Sequence, residues 1–181
     1  EPAVLPTPGE TIYENDFRTF PLDWQMFGFC ETQNDPAKGF HLSPVVTTDM
    51  WTQDELEGSY TVEFDFCPTS DHMKGGTFLQ MSGRCINPRD EFDFMASAMG
   101  NMPYYNFGIK CYHFSFNRGD LSVCNFRKTG KAFYILSQIP EPVRERGRWY
   151  RLHFVKNGNQ FLFFVDGELT LEYFDVGHQG E

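Results

Sequence analysis

Seven residues within one short stretch have the types and spacing to act on a hydroxyl-rich ligand: His113, Ser115, Asn117, Arg118, Asn125, Arg127 and Lys128. They lie in the segment YHFSFNRGDLSVCNFRK, residues 112–128. Sugar hydroxyls each donate and accept, so a rigid set of amide, hydroxyl and imidazole groups suits them. Arg127 can grip a sugar carboxylate through two parallel N–H···O bonds. His113 has an ordinary pKa of about 6.5, which suits proton abstraction near neutrality.

The hydrophobic pattern places these groups. Tyr112, Phe114 and Phe116 form one face of a strand, and Cys124 and Phe126 must share that face if the core is to be continuous. A three-residue loop at Arg118–Gly119–Asp120 does this, setting Phe114 opposite Cys124 and Tyr112 opposite Phe126. A one-residue slip would scatter the aromatics over both faces and is rejected. The other face then carries His113 opposite Asn125, Ser115 opposite Val123, and also Asn117 and Arg127. Cys111 and Cys124 point to opposite faces and should not be bonded. An ordinary solvated sheet face is the competing reading, although such faces are usually rich in Lys, Glu and Thr.

A polysaccharide lyase would need a carboxylate-neutralising group, a base and an acid. Arg127 with Asn125, and Gln80 from a neighbouring strand, could hold the carboxylate. His113 could be the base, and Tyr104, Tyr105 or Tyr112 the acid, although the register buries Tyr112. Two carboxylate pairs, Glu63/Asp65 and Glu91/Asp93, resemble the start of a Glu-x-Asp-x-x-Glu glucanase strand, but the third positions are Pro68 and Ala96. That retaining mechanism, which needs two carboxyls about 5 Å apart, is not encoded there. His153 alternates with Trp149 and Arg151 and could extend a site, whereas His41, His72 and His178 are isolated. Trp51 could stack on a sugar or pack in a core. No transition-metal, phosphate-loop or nucleophile-elbow motif is present. Acidic loops around Asp16, Asp23 or Asp175 are candidates for one calcium ion, and no other cofactor is expected.

Strands must position these groups. Tyr60, Val62, Phe64 and Phe66 alternate with polar residues, as a half-buried strand does. Further strands are expected at Thr77–Ser82, Ile109–Asn117, Leu121–Arg127, Arg148–Lys156, Gln160–Val165 and Leu169–Phe174. Asn157–Gly158 and Asp166–Gly167 are hairpin turn signals. At most a short helix is expected, near Asp54 or Asp90. The pattern predicts a single all-β domain over 1–181, an antiparallel two-sheet sandwich of about a dozen strands, after an extended Pro-rich lead-in at 1–10.

Composition agrees. The 181 residues include 20 Phe, 8 Tyr and 3 Trp against few Ala and Leu, which favours strands. The net charge is −10, which argues against binding nucleic acid or an anionic membrane. Residues 1–100 carry 5 basic and 17 acidic side chains, whereas residues 101–181 carry 10 and 8. The candidate site therefore lies in the basic half. Five cysteines without a CxxC pair indicate neither a disulfide framework nor a zinc ribbon. No apolar run reaches the ~20 residues of a membrane span and no signal peptide is visible. A soluble chain is expected, either cytoplasmic or secreted with its leader removed.

At the hairpin the sequence resembles the bacterial domain-of-unknown-function family numbered nineteen sixty-one. The resembling residues are Tyr104–Tyr105, then Tyr112-His113 with Ser115 and Arg118, then Asn125-Phe126-Arg127-Lys128. The likeness spreads weakly over most of the chain. It implies a galectin-like fold within the concanavalin A-like lectin and glucanase superfamily, a jelly-roll sandwich. It also implies a place beside pectin and rhamnogalacturonan degradation, without supplying a reaction. Beyond the position of Gly177 the family continues into a Gly-rich stretch and a closing strand with an Arg. This chain ends at Glu181, so a missing closing strand, or a sheet completed differently, is expected.

These readings converge on carbohydrate engagement. The leading expectation is binding of an acidic, plant-type oligosaccharide or polysaccharide through Asn125, Arg127, Ser115, Asn117, Arg118, Lys128, Gln80 and Tyr104. The alternative is a lyase or glycoside hydrolase on the same face, with His113 and Tyr105 as its catalytic groups. A third possibility is a partner-binding sandwich using exposed Leu162 and Phe164 beside Arg151.

Overall fold

The computed structural model describes residues 7, 9–52, 56–69, 76–86, 107–118, 122–130 and 132–177. Ten strands run through them: β1 (Trp24–Asp35), β2 (Gly39–Thr52), β3 (Tyr60–Phe66), β4 (Thr77–Cys85), β5 (Ile109–Phe116), β6 (Val123–Lys128), β7 (Tyr134–Pro140), β8 (Tyr150–Asn157), β9 (Gln160–Val165) and β10 (Glu168–Phe174). They form a four-stranded sheet in the order β4-β5-β6-β7, a second in the order β10-β9-β8-β3, and a two-stranded β1-β2 ribbon, all antiparallel. No helix among them is long and apolar enough to cross a membrane. The sites of a short helix, near Asp54 and Asp90, lie outside the described residues, as does most of the Pro-rich lead-in.

The two four-stranded sheets meet through phenylalanine. Phe114 of β5 stacks on Phe126 of β6 at 4.4 Å and meets Phe154 of the facing sheet at 4.9 Å. Phe154 in turn stacks on Phe163 at 4.4 Å. Phe116, Leu152 and Phe161 complete this buried layer. Offset and edge-on ring pairs at these distances add to the burial of large apolar area. The alternation expected for Tyr60–Phe66 is present, with Glu63 and Asp65 outward and Phe64 and Phe66 against the core.

Three strands were not legible in the sequence. β1 and β2 pair only with each other, so neither has a clean one-sided apolar alternation. Their ladder is interrupted between Gly28 and Cys30. Gly28 adopts a φ of 104°, and a Cβ there would collide with the Thr47 carbonyl oxygen. β7 is an edge strand with Tyr134 and Ile135 exposed. The ribbon still contributes to packing. Phe27 and Trp51 close over Ile109 and Cys111, so Trp51 sits in a core cluster, and the Gly83 Cα makes room for its ring.

Two expected details differ. The β8–β9 turn falls on Gly158–Asn159, one residue later than the sequence signal, because Asn157 still pairs with Gln160. Asp166–Gly167 forms its turn as expected, with φ of 52° and 83°, the left-handed pair that matches strand twist. Leu162 and Phe164 are buried with Val155 on the outer side of their sheet, so they are not the exposed patch the alternation indicated. All five cysteines are free.

Phe114 has no exposed surface and touches both sheets. Phe114→Ala is expected to destabilise the fold by about 3–5 kcal/mol. Urea unfolding checks this, with the Phe29→Ala variant as an exposed control.

Candidate functional site

Strand register builds the site. The pairs are Tyr112↔Lys128, His113↔Arg127, Phe114↔Phe126 and Ser115↔Asn125. This is two residues away from the expected pairing, which corrects Phe114 opposite Cys124 and His113 opposite Asn125. The connection is longer than three residues: β5 ends at Phe116 and β6 begins at Val123. Asn117 and Ser122 take φ of 54° and 52° at its two ends, and the Ser122 N–H donates to the Arg118 carbonyl. An even shift keeps every side chain on its face, so the apolar pattern could not detect it.

The face opposite the core then carries two cross-strand rows. One is Gln80–His113–Arg127 across β4, β5 and β6. The other is Phe78–Ser115–Asn125–Gln138 across β4 to β7. It is not a solvated face. His113 and Asn125 are each 1% exposed and Ser115 is 6% exposed. The imidazole lies between the rings of Phe78 and Phe133, at 5.1 and 6.4 Å. The Arg127 guanidinium lies over Phe133 at 4.6 Å.

Two guanidinium groups converge on Asn125. With its amide assigned from the hydrogen-bond network, the Asn125 oxygen accepts from Arg127 Nη2 at 2.8 Å and Arg118 Nη1 at 2.5 Å, and its nitrogen donates to the Gln138 amide 2.7 Å away once that amide is turned to present its oxygen. Arg118 reaches this point from the loop by crossing Gly76, where a Cβ would stand 2.6 Å from its Cγ. No carboxylate among the described residues pairs with either guanidinium.

The floor holds unsatisfied polar atoms. His113 Nε2 and Ser115 Oγ are 2.5 Å apart, but His113 Nδ1, Gln80 Oε1 and Arg127 Nε are buried without a partner. All three belong to one row. Each such atom costs about 1–3 kcal/mol when left unmade. Burial, with the Arg127 and Arg118 charges added, pushes His113 down to about 3, so the ring is neutral at physiological pH. Burial and the Arg118 charge also lower Arg127.

Other expected residues fall elsewhere. Asn117 lies buried at the loop end of the face. Lys128 turns to the opposite side from Arg127, where it pairs with Asp175 at 2.9 Å beside Tyr112. Tyr112 donates to the same carboxylate. Burial first, and that hydrogen bond second, push Tyr112 up to about 12. Tyr104, Tyr105, Glu91 and Asp93 lie outside the described residues. Glu63 and Asp65 both pair with Arg151, at 2.7 and 3.1 Å, on the other sheet, so the Trp149–Arg151–His153 strand does not extend this site. Among the described residues no group of three or more His, Cys, Asp or Glu is placed to hold a metal. Asp16 pairs with Arg18 and Asp23 accepts from Tyr13. The sequence reading missed Phe78, Phe133, Gln138 and Gly76. Gln138 lay on an unrecognised strand, and nothing local marks Phe133 or Gly76.

The fold and this face define a class: an antiparallel sandwich with a buried, cationic polar sheet face. Residues 11–181 match the family model described as Domain of unknown function (DUF1961), and the chain belongs to that family. Among solved structures it is similar to a protein of unknown function with galectin-like fold from Bacillus subtilis. That likeness has a TM-score of 0.76 at 24% identity and covers 95% of this chain and 84% of that one. It is also similar to the carbohydrate-binding module CBM66 from Bacillus subtilis, with a TM-score of 0.57 at 14% identity over 84% of this chain and 80% of that one. Both likenesses show the fold, which is galectin-like. No curated protein matches.

The depressed His113 pKa has a consequence for stability. The unfolded chain takes up a proton near pH 6.5 while the folded one resists until about 3. Stability should therefore be full above pH 6.5 and fall progressively as pH drops toward 3. His113→Gln is expected to flatten that part of the profile, measured by thermal melting across the pH range.

Proposed function

We propose that the protein binds an acidic oligosaccharide or polysaccharide on the β4–β7 face, with Arg127 and Arg118 engaging a sugar carboxylate. One observation carries this reading: two guanidinium groups meet at one carboxamide oxygen with no carboxylate among the described residues to neutralise them. Two close cations in a sheltered site repel each other, and an anion between them reverses the sign of that interaction. Guanidinium and carboxylate match in a planar, two-pronged geometry. The likeness of fold to a carbohydrate-binding module supports the same reading. The family resemblance favours uronate-bearing glycans of plant type.

Binding without turnover is the form the geometry supports best. A general base works when its pKa lies near the operating pH. His113 is held near 3. The Tyr112 hydroxyl faces the other side of its sheet and is held by Asp175. The polar groups form a fixed grid for recognition, and no acid–base pair stands across it among the described residues.

Isothermal titration with uronic-acid oligosaccharides tests the reading. Arg127→Gln should weaken binding about ten- to hundredfold, the worth of a charge-assisted hydrogen bond, with the melting temperature kept. Incubation of uronate polysaccharides with the unaltered protein should yield neither unsaturated uronates nor new reducing ends. Equal affinity in Arg127→Gln would sink the assignment, and product formation would move the protein to the enzyme class. Because His113 stays neutral, affinity should be flat above pH ~4. It should be lost below, as the ligand's own carboxylate is protonated.

A further inference from the structure

Beside the carboxylate-binding face lies a hollow of about 390 Å³, lined by Asn117, Arg118, Ser122, Glu141, Val143, Arg144 and Arg146. Its size falls in the range of small-ligand pockets. Its walls come from two loops that are pinned to each other. The Glu141 carboxylate accepts from the Val143 N–H at 2.9 Å and the Arg118 N–H at 3.2 Å, and the Glu141 N–H donates to the Ser122 carbonyl at 2.9 Å. Further along, the Glu145 N–H donates to the Tyr150 hydroxyl and the Gly147 N–H to the Pro68 carbonyl. The described residues on the two sides of the hollow are thus held to each other by hydrogen bonds.

Its charge is one-sided. Three arginines line it against one glutamate. That carboxylate is 4% exposed and is already committed to two backbone N–H groups. Arg144 is exposed, and its Nε donates to the Glu141 carbonyl at 2.5 Å, an anchor that orients the guanidinium. Arg148, four residues beyond Arg144, is neutralised by Glu145 and Asp166 and does not line the hollow.

Arg118 joins the two places. Its backbone is held by Glu141 at the hollow, and its Nη1 lies 2.5 Å from the Asn125 oxygen on the sheet face. We infer that the hollow is a second anion subsite of the same binding surface, with Arg144 as its principal contact. The ligand is then an acidic oligosaccharide with successive carboxylates, one at Arg127 and Arg118 and the next at Arg144. This inference rests on the proposed reading of the sheet face. A second carboxylate on one ligand binds at high effective concentration, so an oligomer gains strongly over its monomer.

Titration calorimetry with D-galacturonate and its trimer tests this on the unaltered protein, Arg127→Gln and Arg144→Gln. The unaltered protein should bind the trimer about tenfold or more tighter than the monomer. Arg144→Gln should bring the trimer close to the monomer and leave monomer affinity as it was. Arg144→Lys, which keeps the charge and loses the fork, should fall between. On the unaltered protein, the backbone NMR signals of Val143 and Gly147 should move with the trimer and not with the monomer, a readout independent of any variant's folding. If Arg144→Gln binds both sugars as the unaltered protein does, the hollow is no subsite and the reading of Arg127 stands. If the unaltered protein binds neither sugar, both readings fall.

Discussion

The side on which Phe114 points constrains everything built on its sheet. It is wedged between Phe126 of its own sheet and Phe154 of the facing one. A strand has a side-chain period of two, so this contact fixes the neighbours as well. His113 and Ser115 must project from the opposite side, and the pairing of β5 with β6 adds Arg127 and Asn125 to them. A stacked aromatic layer thus holds a polar grid in register from behind. Eight of the 20 phenylalanines belong to that layer.

The grid is unusual for being buried yet imperfectly satisfied. Protein interiors leave few polar atoms without partners. Here three of them, His113 Nδ1, Gln80 Oε1 and Arg127 Nε, fall in one cross-strand row. Beside them two guanidinium groups share a single neutral acceptor. Such an arrangement disfavours the protonated imidazole, which is why His113 stays neutral. It also concentrates positive charge on this face although the whole chain carries −10.

Elsewhere the charges are closed off. Lys128, Tyr112 and Asp175 make a compact group on the core side. Burial works against the Asp175 charge, but the Tyr112 and Lys128 hydrogen bonds hold its carboxyl below the ordinary range. On the second sheet Arg151 neutralises both Glu63 and Asp65. The contrast isolates Arg118 and Arg127, since Lys128, Arg148 and Arg151 each find a carboxylate at 2.7–3.1 Å. Glu141 takes part in the surface through backbone N–H groups, and so fixes the loop that carries Arg118 without closing the site.

The sequence by itself determined the all-β class, seven of the ten strands and the β5 and β6 members of the polar face, His113, Ser115, Asn125 and Arg127. Period-two alternation is a local signal, and Tyr112, Phe114 and Phe116 carry it without ambiguity. It did not determine register, because a shift of two residues preserves every face. Tertiary structure decided that His113 stands opposite Arg127, that Lys128 leaves the site for Asp175, and that Arg118 returns over Gly76 to meet Arg127. It also decided that the face is buried between Phe78 and Phe133 and not solvated. Alternation says which side of a strand a residue takes. What covers that side, and which charges meet there, depends on contacts between segments far apart in the chain, and no local pattern encodes them.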